Sequence, residues 1–328
     1  MSPVPGAAAP DPLEVFVPDG AVAPAPDGAH EPEGYVVGGE GEVRIHFLDW
    51  GGSLEPAGSR GFADDDPPGV LLIPGMLGSA SGWAPVARRL ARLRRTAAMD
   101  LRGHGLSDAP PGGYDLDTLA ADAEGVVAAS GVAGERGIVV AGLGFGACVA
   151  AALAARLGGR CAGLVLVDGG FERQAVVTGL DLDELLRGLD EPPEVMRSMA
   201  AWLADRRDFD PATWDADQER AARDGVVETA AGRVVRAVRP HVVTAVATTM
   251  QAYDPAAWLG SVAARVTALV ALGSGEAGIR LAELRRAGEA RVAAGLSPIG
   301  VAGFAGVAHN LPRYRPADVA ASILTAGG

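Results

Sequence analysis

From Val70 onward, short buried apolar runs alternate with helix-length stretches, and that rhythm leaves few folds open to the chain. Strands are expected at Val70–Pro74, Thr96–Asp100, Gly137–Ala141, Cys161–Asp168, Val266–Leu272 and Pro298–Phe304. Helices are expected near Trp83–Leu93, Leu116–Ala129, Phe145–Leu157, Ile279–Ala293 and Pro316–Thr325. Strand runs this continuously apolar are buried on both faces, so the expected class is α/β, with a mostly parallel central sheet and helices on both sides. Ahead of them, Tyr35–Val37 and Val43–Trp50 flank Gly-Gly-Glu-Gly and read as a hairpin. Between Gly169 and Gly260 strand signals fade, and Met196, Met199, Trp202, Trp214 and Trp258 stand among charged helical segments. That shift predicts an inserted helical lid over 170–260, dividing a core of 34–169 and 261–328. Residues 1–33, rich in Pro, Ala, Gly and acids, read as a flexible arm that packs little.

A chain of 328 residues is long enough for such a core. Its formal net charge of −13 supplies no basic footprint, which argues against nucleic acid and anionic lipid and leaves a small-molecule substrate as the expected partner. The first segment lacks the basic start and apolar stretch of a signal peptide, and no apolar run approaches membrane-spanning length, so the cytoplasm is the expected compartment. Cys148 and Cys161 are the only cysteines, and neither has a Cys or His at metal-ligand spacing. No metal and no cofactor are expected.

The stretch VVAGLGFGACVAAALAARLG, Val139–Gly158, carries the chemical question. It reads as a buried strand that breaks at glycines and re-enters a helix, the form of a Gly-x-Ser-x-Gly nucleophile elbow. Here Gly142-Leu143-Gly144-Phe145-Gly146 places glycine where the attacking hydroxyl would stand. Glycine adopts the strained elbow conformation at low cost, so the turn survives loss of the hydroxyl.

Four landmarks in order resemble the α/β-hydrolase superfamily. LLIPGMLGSASGW resembles the loop after the third strand, with Pro74 in place of the usual His; MDLRGHGLSD, 99–108, resembles the turn after the fourth; AGLGFG occupies the elbow; and AGVAHNLPRYRP, 305–316, resembles the loop that carries the catalytic His. The resemblance implies an α/β-hydrolase fold with an inserted lid. It implies His309 as general base, Glu276 as the acid beside it with Asp168 in reserve, and the backbone N–H groups of Met76 and Phe145 as an oxyanion hole beside the vacant nucleophile position, Gly144. Gly75, and the lid residues His241 and Trp202, are the expected substrate contacts. Cys148 falls a turn deeper than Gly144, and Ser79, Ser81 and Ser274 have no evident pairing with His309.

These parts suit cofactor-free, non-hydrolytic chemistry by proton abstraction with oxyanion stabilisation, including Michael- or aldol-type C–C bond formation, and the Trp and Met residues of the lid suit a bulky apolar substrate; the resemblance implies a lyase or cyclase acting on a natural-product intermediate. The alternative expectation is an esterase or other hydrolase whose serine has been replaced by Gly144, or a non-catalytic ligand-binding protein.

Overall fold

The computed structural model describes residues 11–18, 31–51, 67–273 and 275–327. Its strands are β1 (Leu13–Val15), β2 (Glu33–Gly38), β3 (Arg44–Asp49), β4 (Gly69–Ile73), β5 (Thr96–Met99), β6 (Ile138–Leu143), β7 (Cys161–Val167), β8 (Val226–Glu228), β9 (Val234–Arg236), β10 (Val266–Ala271) and β11 (Ile299–Phe304). Nine of them form one sheet in the order β1-β11-β10-β7-β6-β4-β5-β3-β2. Every pairing from β1 to β5 is parallel, while β3 runs antiparallel to both β2 and β5. Parallel strands need crossovers, and the helices α1 (Ala84–Leu90), α2 (Leu116–Ser130) and α3 (Phe145–Leu157) supply them between β4 and β7.

Both faces are covered. One apolar cluster packs α2 and α3 against Leu71, Ile73, Val140 and Leu166, and a second packs α1 against Leu72, Val139, Val165 and Leu269. The alternation of these residues along β4, β6 and β7 is the period-2 signature of a sheet buried on two sides.

Between β7 and β10 lie α4 (Gln174–Thr178), α5 (Leu182–Arg187), α6 (Met199–Phe209), α7 (Ala216–Asp224), the β8–β9 hairpin, α8 (Pro240–Ala252) and α9 (Pro255–Leu259). The hairpin departs from the strand-free insertion expected for this stretch: Val226 and Val234 need each other and Trp202 to become buried, a contact that runs of three residues do not announce. After it come α10 (Ala277–Ala293), α11 (Leu311–Tyr314) and α12 (Pro316–Ala326), which packs on α1. Arg291 of α10 is wholly buried, donating to the carbonyls of Leu259, Val262, Ala264 and Ser297, and thereby fastens α10 to the segment that enters β10.

The arm expected to pack little does contribute structure. Leu13, Glu14 and Val15 pair in parallel register with Ile299, Gly300 and Val301, making β1 an edge strand of the sheet. Gly288 of α10 approaches this segment closely: a Cβ there would lie 2.5 Å from the Pro12 carbonyl oxygen. No helix among the described residues is long and apolar enough to cross a membrane.

Candidate active site

Because β4, β6, β7, β10 and β11 are parallel, their C-terminal ends open on the same side of the sheet, where loops can converge. Gly144 follows β6 at φ 54° and ψ −117° and leads directly into α3. The glycines flanking it are demanded by packing: a Cβ on Gly142 would lie 2.1 Å from the Gly146 carbonyl oxygen, and one on Gly146 would lie 2.3 Å from that of Pro74. Gly144 differs. Its positive φ strains any side chain, yet a Cβ there would meet only the ring of His309, at 3.0 Å from Nε2 and 3.2 Å from Cε1.

His309 lies on the loop after β11 with its side chain 62% exposed. Its Nδ1 is 2.6 Å from Oδ2 of Asp168, the residue that follows β7. A carboxylate only accepts, so Nδ1 carries the proton and Nε2 turns its lone pair toward Gly144. The carboxylate beside His309 is therefore Asp168, and the expectation of Glu276 in that place is corrected. Glu276 is exposed at the start of α10 and lines the cavity, but forms no hydrogen bond or ion pair with the imidazole.

Asp168 is fixed from several sides. It holds φ 48°, uncommon outside glycine, and its Oδ1 accepts from the Ala271 N–H at 2.8 Å and from Nη1 of Arg280 at 2.8 Å. Burial alone would lift its carboxyl, but the His309 hydrogen bond and the Arg280 charge outweigh that and hold it below the ordinary carboxylate range. Arg280 in turn grips Glu172 through Nε at 2.7 Å and Nη2 at 3.1 Å. Neither Arg280 nor Glu172 was expected at the site. A signal existed for Arg280: it begins the buried stripe Arg280, Leu284, Ala287 and Arg291 on α10, and an arginine on such a stripe requires buried acceptors.

Gly75, Met76 and Phe145 line the same cavity, of about 750 Å³, as Gly144 and His309. Phe145 opens α3, so its N–H has no intrahelical acceptor and faces the positive end of the helix dipole. Leu77, next to Met76, holds φ 67°, which marks this loop as conformationally constrained. The inserted segment closes the cavity with Gln174, Val177, Thr178, Leu185, Leu189 and Met250.

Two expected substrate contacts lie elsewhere. His241 is exposed at the start of α8, its Nε2 3.2 Å from the Pro110 carbonyl oxygen and its ring edge-on to Tyr114. Trp202 is buried among Val226, Val234 and neighbouring lid residues, donates Nε1–H to the Ala222 carbonyl, and lines a separate cavity of about 520 Å³. Both were placed by sequence in the right segment but on the wrong face.

No serine among the described residues bonds His309. Ser79 and Ser81 pair with each other, and Ser81 donates to Asp224 at 2.6 Å; Ser274 lies outside the described residues. Cys148 lines the cavity floor, but burial pushes its thiol well above the ordinary range, so it is a poor nucleophile. Of the remaining histidines, His46 on β3 is held by Asp100 at 2.8 Å, His104 in the turn after β5 is held by the Arg102 carbonyl at 3.0 Å, and His30 lies outside the described residues. No group of three or more His, Cys, Asp or Glu suited to a metal ion occurs among the described residues.

Comparison with known proteins agrees with this architecture. A stretch of 91 residues is 35% identical to N-formylmaleamate deformylase of Pseudomonas putida, covering 27% of this chain and 29% of that protein, so the chain matches less than a third of that relative's length. Among solved structures, E-2-(acetamidomethylene)succinate hydrolase superposes over 90% of this chain and 98% of its own, with a TM-score of 0.69 at 20% identity. The thioesterase domain of the curacin biosynthetic pathway superposes over 90% and 99%, with a TM-score of 0.67 at 19% identity. At those identities the likeness is one of fold. The sequence profile of the α/β hydrolase family matches residues 70–322, most of the chain, and this protein belongs to that family.

Proposed function

We propose that this protein is a hydrolase that works without a covalent intermediate, using His309 to activate water in the space that a serine side chain would otherwise fill. The observation that carries this reading is the intact His309–Asp168 pair with Nε2 directed at the bare Cα of Gly144. Water seated there gives a proton to Nε2 while its oxygen attacks a bound carbonyl carbon. The carbonyl oxygen takes up the electron pair and is held by the N–H groups of Phe145 and Met76. Collapse of that oxyanion expels the leaving group, which receives the proton back from His309, and Asp168 holds the imidazole in the required tautomer throughout. The relatives named above support hydrolysis over the lyase or cyclase chemistry expected from the missing serine alone.

The cavity also constrains the substrate. Asp168, Glu172 and Glu276 line it, and Arg280, the sole cationic lining residue among those described, is committed to the first two. An uncharged ester or amide suits this surface better than an acid.

The test is turnover of neutral activated esters and N-acyl amides by wild type and by His309→Ala, with products and intact protein mass followed together. Acid release that needs His309, with protein mass unchanged during turnover, supports the proposal. Conversion of a substrate without release of acid favours non-hydrolytic proton abstraction instead, and an acyl adduct on the protein refutes direct water attack.

A further inference from the structure

Four ionisable side chains of alternating role run through the floor of the cavity. His309 Nδ1 meets Asp168 Oδ2 at 2.6 Å, Asp168 Oδ1 meets Arg280 Nη1 at 2.8 Å, and Arg280 clasps Glu172 with Nε at 2.7 Å and Nη2 at 3.1 Å. The three inner members are at least nine-tenths buried at their side chains, whereas His309 is open to the cavity. Backbone groups complete the set: Ala271 gives its N–H to Asp168 and its carbonyl to Arg280. Charges this buried are weakly screened, so each member feels the next.

We propose that Arg280 and Glu172 are positioning residues that set how strongly His309 holds a proton, Arg280 by offsetting the charge of Asp168 and Glu172 by offsetting Arg280. This rests on His309 acting as proton acceptor. If Asp168 stood alone, its whole negative charge would favour the imidazolium. The Arg280 guanidinium withdraws part of that charge. Glu172 limits how much is withdrawn, because two of the donors of Arg280 are aimed at it.

The proton affinities agree with the geometry. Glu172 stays above the ordinary carboxylate range because burial outweighs its bonds to Arg280, while Asp168, held by the His309 hydrogen bond and the Arg280 charge, falls below. Other charged or ionisable groups on the surrounding elements do not break the chain. Glu276 at the start of α10 is exposed, and Cys148 on α3 is a buried neutral thiol. Tyr253, at the end of α8, donates its hydroxyl to the Gly170 carbonyl. Farther along α10, Glu283 is closed on Arg173 at 2.7 Å and Arg286 on Asp254. Beyond His309, Arg313 is spent on Thr213 and the Asp210 carbonyl.

The experiment compares Arg280→Met, Glu172→Gln, Arg280→Lys and the double variant Arg280→Met/Glu172→Gln with wild type. Two readouts are taken on the full chain: the acid limb of the kcat/KM–pH profile on a neutral activated ester, and the downfield proton resonance of the His309–Asp168 hydrogen bond, recorded without substrate. Arg280→Met is expected to move the acid limb to higher pH and Glu172→Gln to lower pH, each by roughly half a pH unit. The resonance should move in opposite directions in the two variants. Arg280→Lys should restore much of the wild-type profile, and the double variant should fall between Arg280→Met and wild type, because it also removes the Glu172 charge that Arg280→Met leaves unopposed.

A resonance that does not move in Glu172→Gln, or limbs that move the same way in both single variants, would overturn the proposal. Should Arg280→Met fail to fold, Glu172→Gln decides alone, since glutamine preserves the shape and an acceptor oxygen while removing the charge. Because the resonance needs no turnover, an inactive protein with the expected shifts would sink the hydrolase reading and leave this one standing.

Discussion

Restoring a hydroxyl at the elbow probes the site most directly. Gly144 sits at φ 54°, where an L side chain costs about 1–3 kcal/mol. Packing adds little to that cost, because the only atoms within reach of a new Cβ belong to the ring of His309, an exposed side chain able to give a few tenths of an ångström. Gly144→Ala should therefore lose about 1–3 kcal/mol, seen as a fall in Tm of roughly 2–4 °C for each kcal/mol. Gly144→Ser pays the same strain but places Oγ against Nε2, recovering about 1 kcal/mol through a new hydrogen bond. Serine should thus be the more stable of the two variants. It should also acquire what the wild type lacks: covalent labelling by a fluorophosphonate and a burst of nitrophenol from an activated ester, both abolished by adding His309→Ala. If Gly144→Ser folds, yet neither labels nor shows a burst, then His309 and the N–H of Phe145 are not disposed around this position as described, and the water-activation reading falls with them.

Other outcomes follow from neighbouring contacts. His309→Ala should reduce kcat/KM by roughly 10²–10⁴, the usual share of a general base, and should also lower stability by about 1–3 kcal/mol, because it takes the 2.6 Å partner from the buried Asp168 carboxylate. Asp168 contributes stability in its ionised form and its carboxyl is held below the ordinary range. That contribution is complete above the unfolded value of about 4 and is lost as pH falls through the folded value, so urea titrations should show wild type losing its advantage over Asp168→Asn below about pH 4. Gly146→Ala should fold poorly or not at all, since its Cβ would lie within 2.5 Å of two backbone carbonyl oxygens, whereas Gly275→Ala, with nothing within 4 Å, should be silent in the same expression and melting assays. Cys148 and Cys161, the latter with its thiol pushed up to about 11, should resist a thiol reagent at pH 8 until denaturant is added.

Much of this architecture was legible in the sequence because the physics involved is local. Continuous apolar runs bounded by glycines gave β4, β6 and β7 nearly to the residue, and Phe145–Leu157 was bounded correctly because an alanine-rich run between Gly144 and Gly158 has few other options. The strand-to-helix turn at Gly144 and the position of His309 after the last strand were legible for the same reason: each belongs to a short motif whose spacing is set by one turn. The acid was not. Asp168 and Glu276 each follow a strand of the same parallel sheet, and the choice between them rests on a positive φ at Asp168 and on the N–H of Ala271 one strand away. No periodicity encodes such a contact. His241 and Trp202 failed for a related reason: helical spacing says that a residue has a buried face, but not whether that face turns toward the cavity or toward another piece of the lid.

The pairing of β1 with β11 bears on how this protein should be handled in the laboratory. Trimming the chain to start at the first obvious strand would discard Leu13–Val15 and strip the outer rim of β11, the strand whose exit loop carries His309. A bared parallel rim invites another chain to lie along it, and it loosens the neighbouring backbone. A shortened protein would then lose solubility and activity together, and the loss would be misread as a fault in the catalytic residues when its origin is three residues near the opposite end of the sequence.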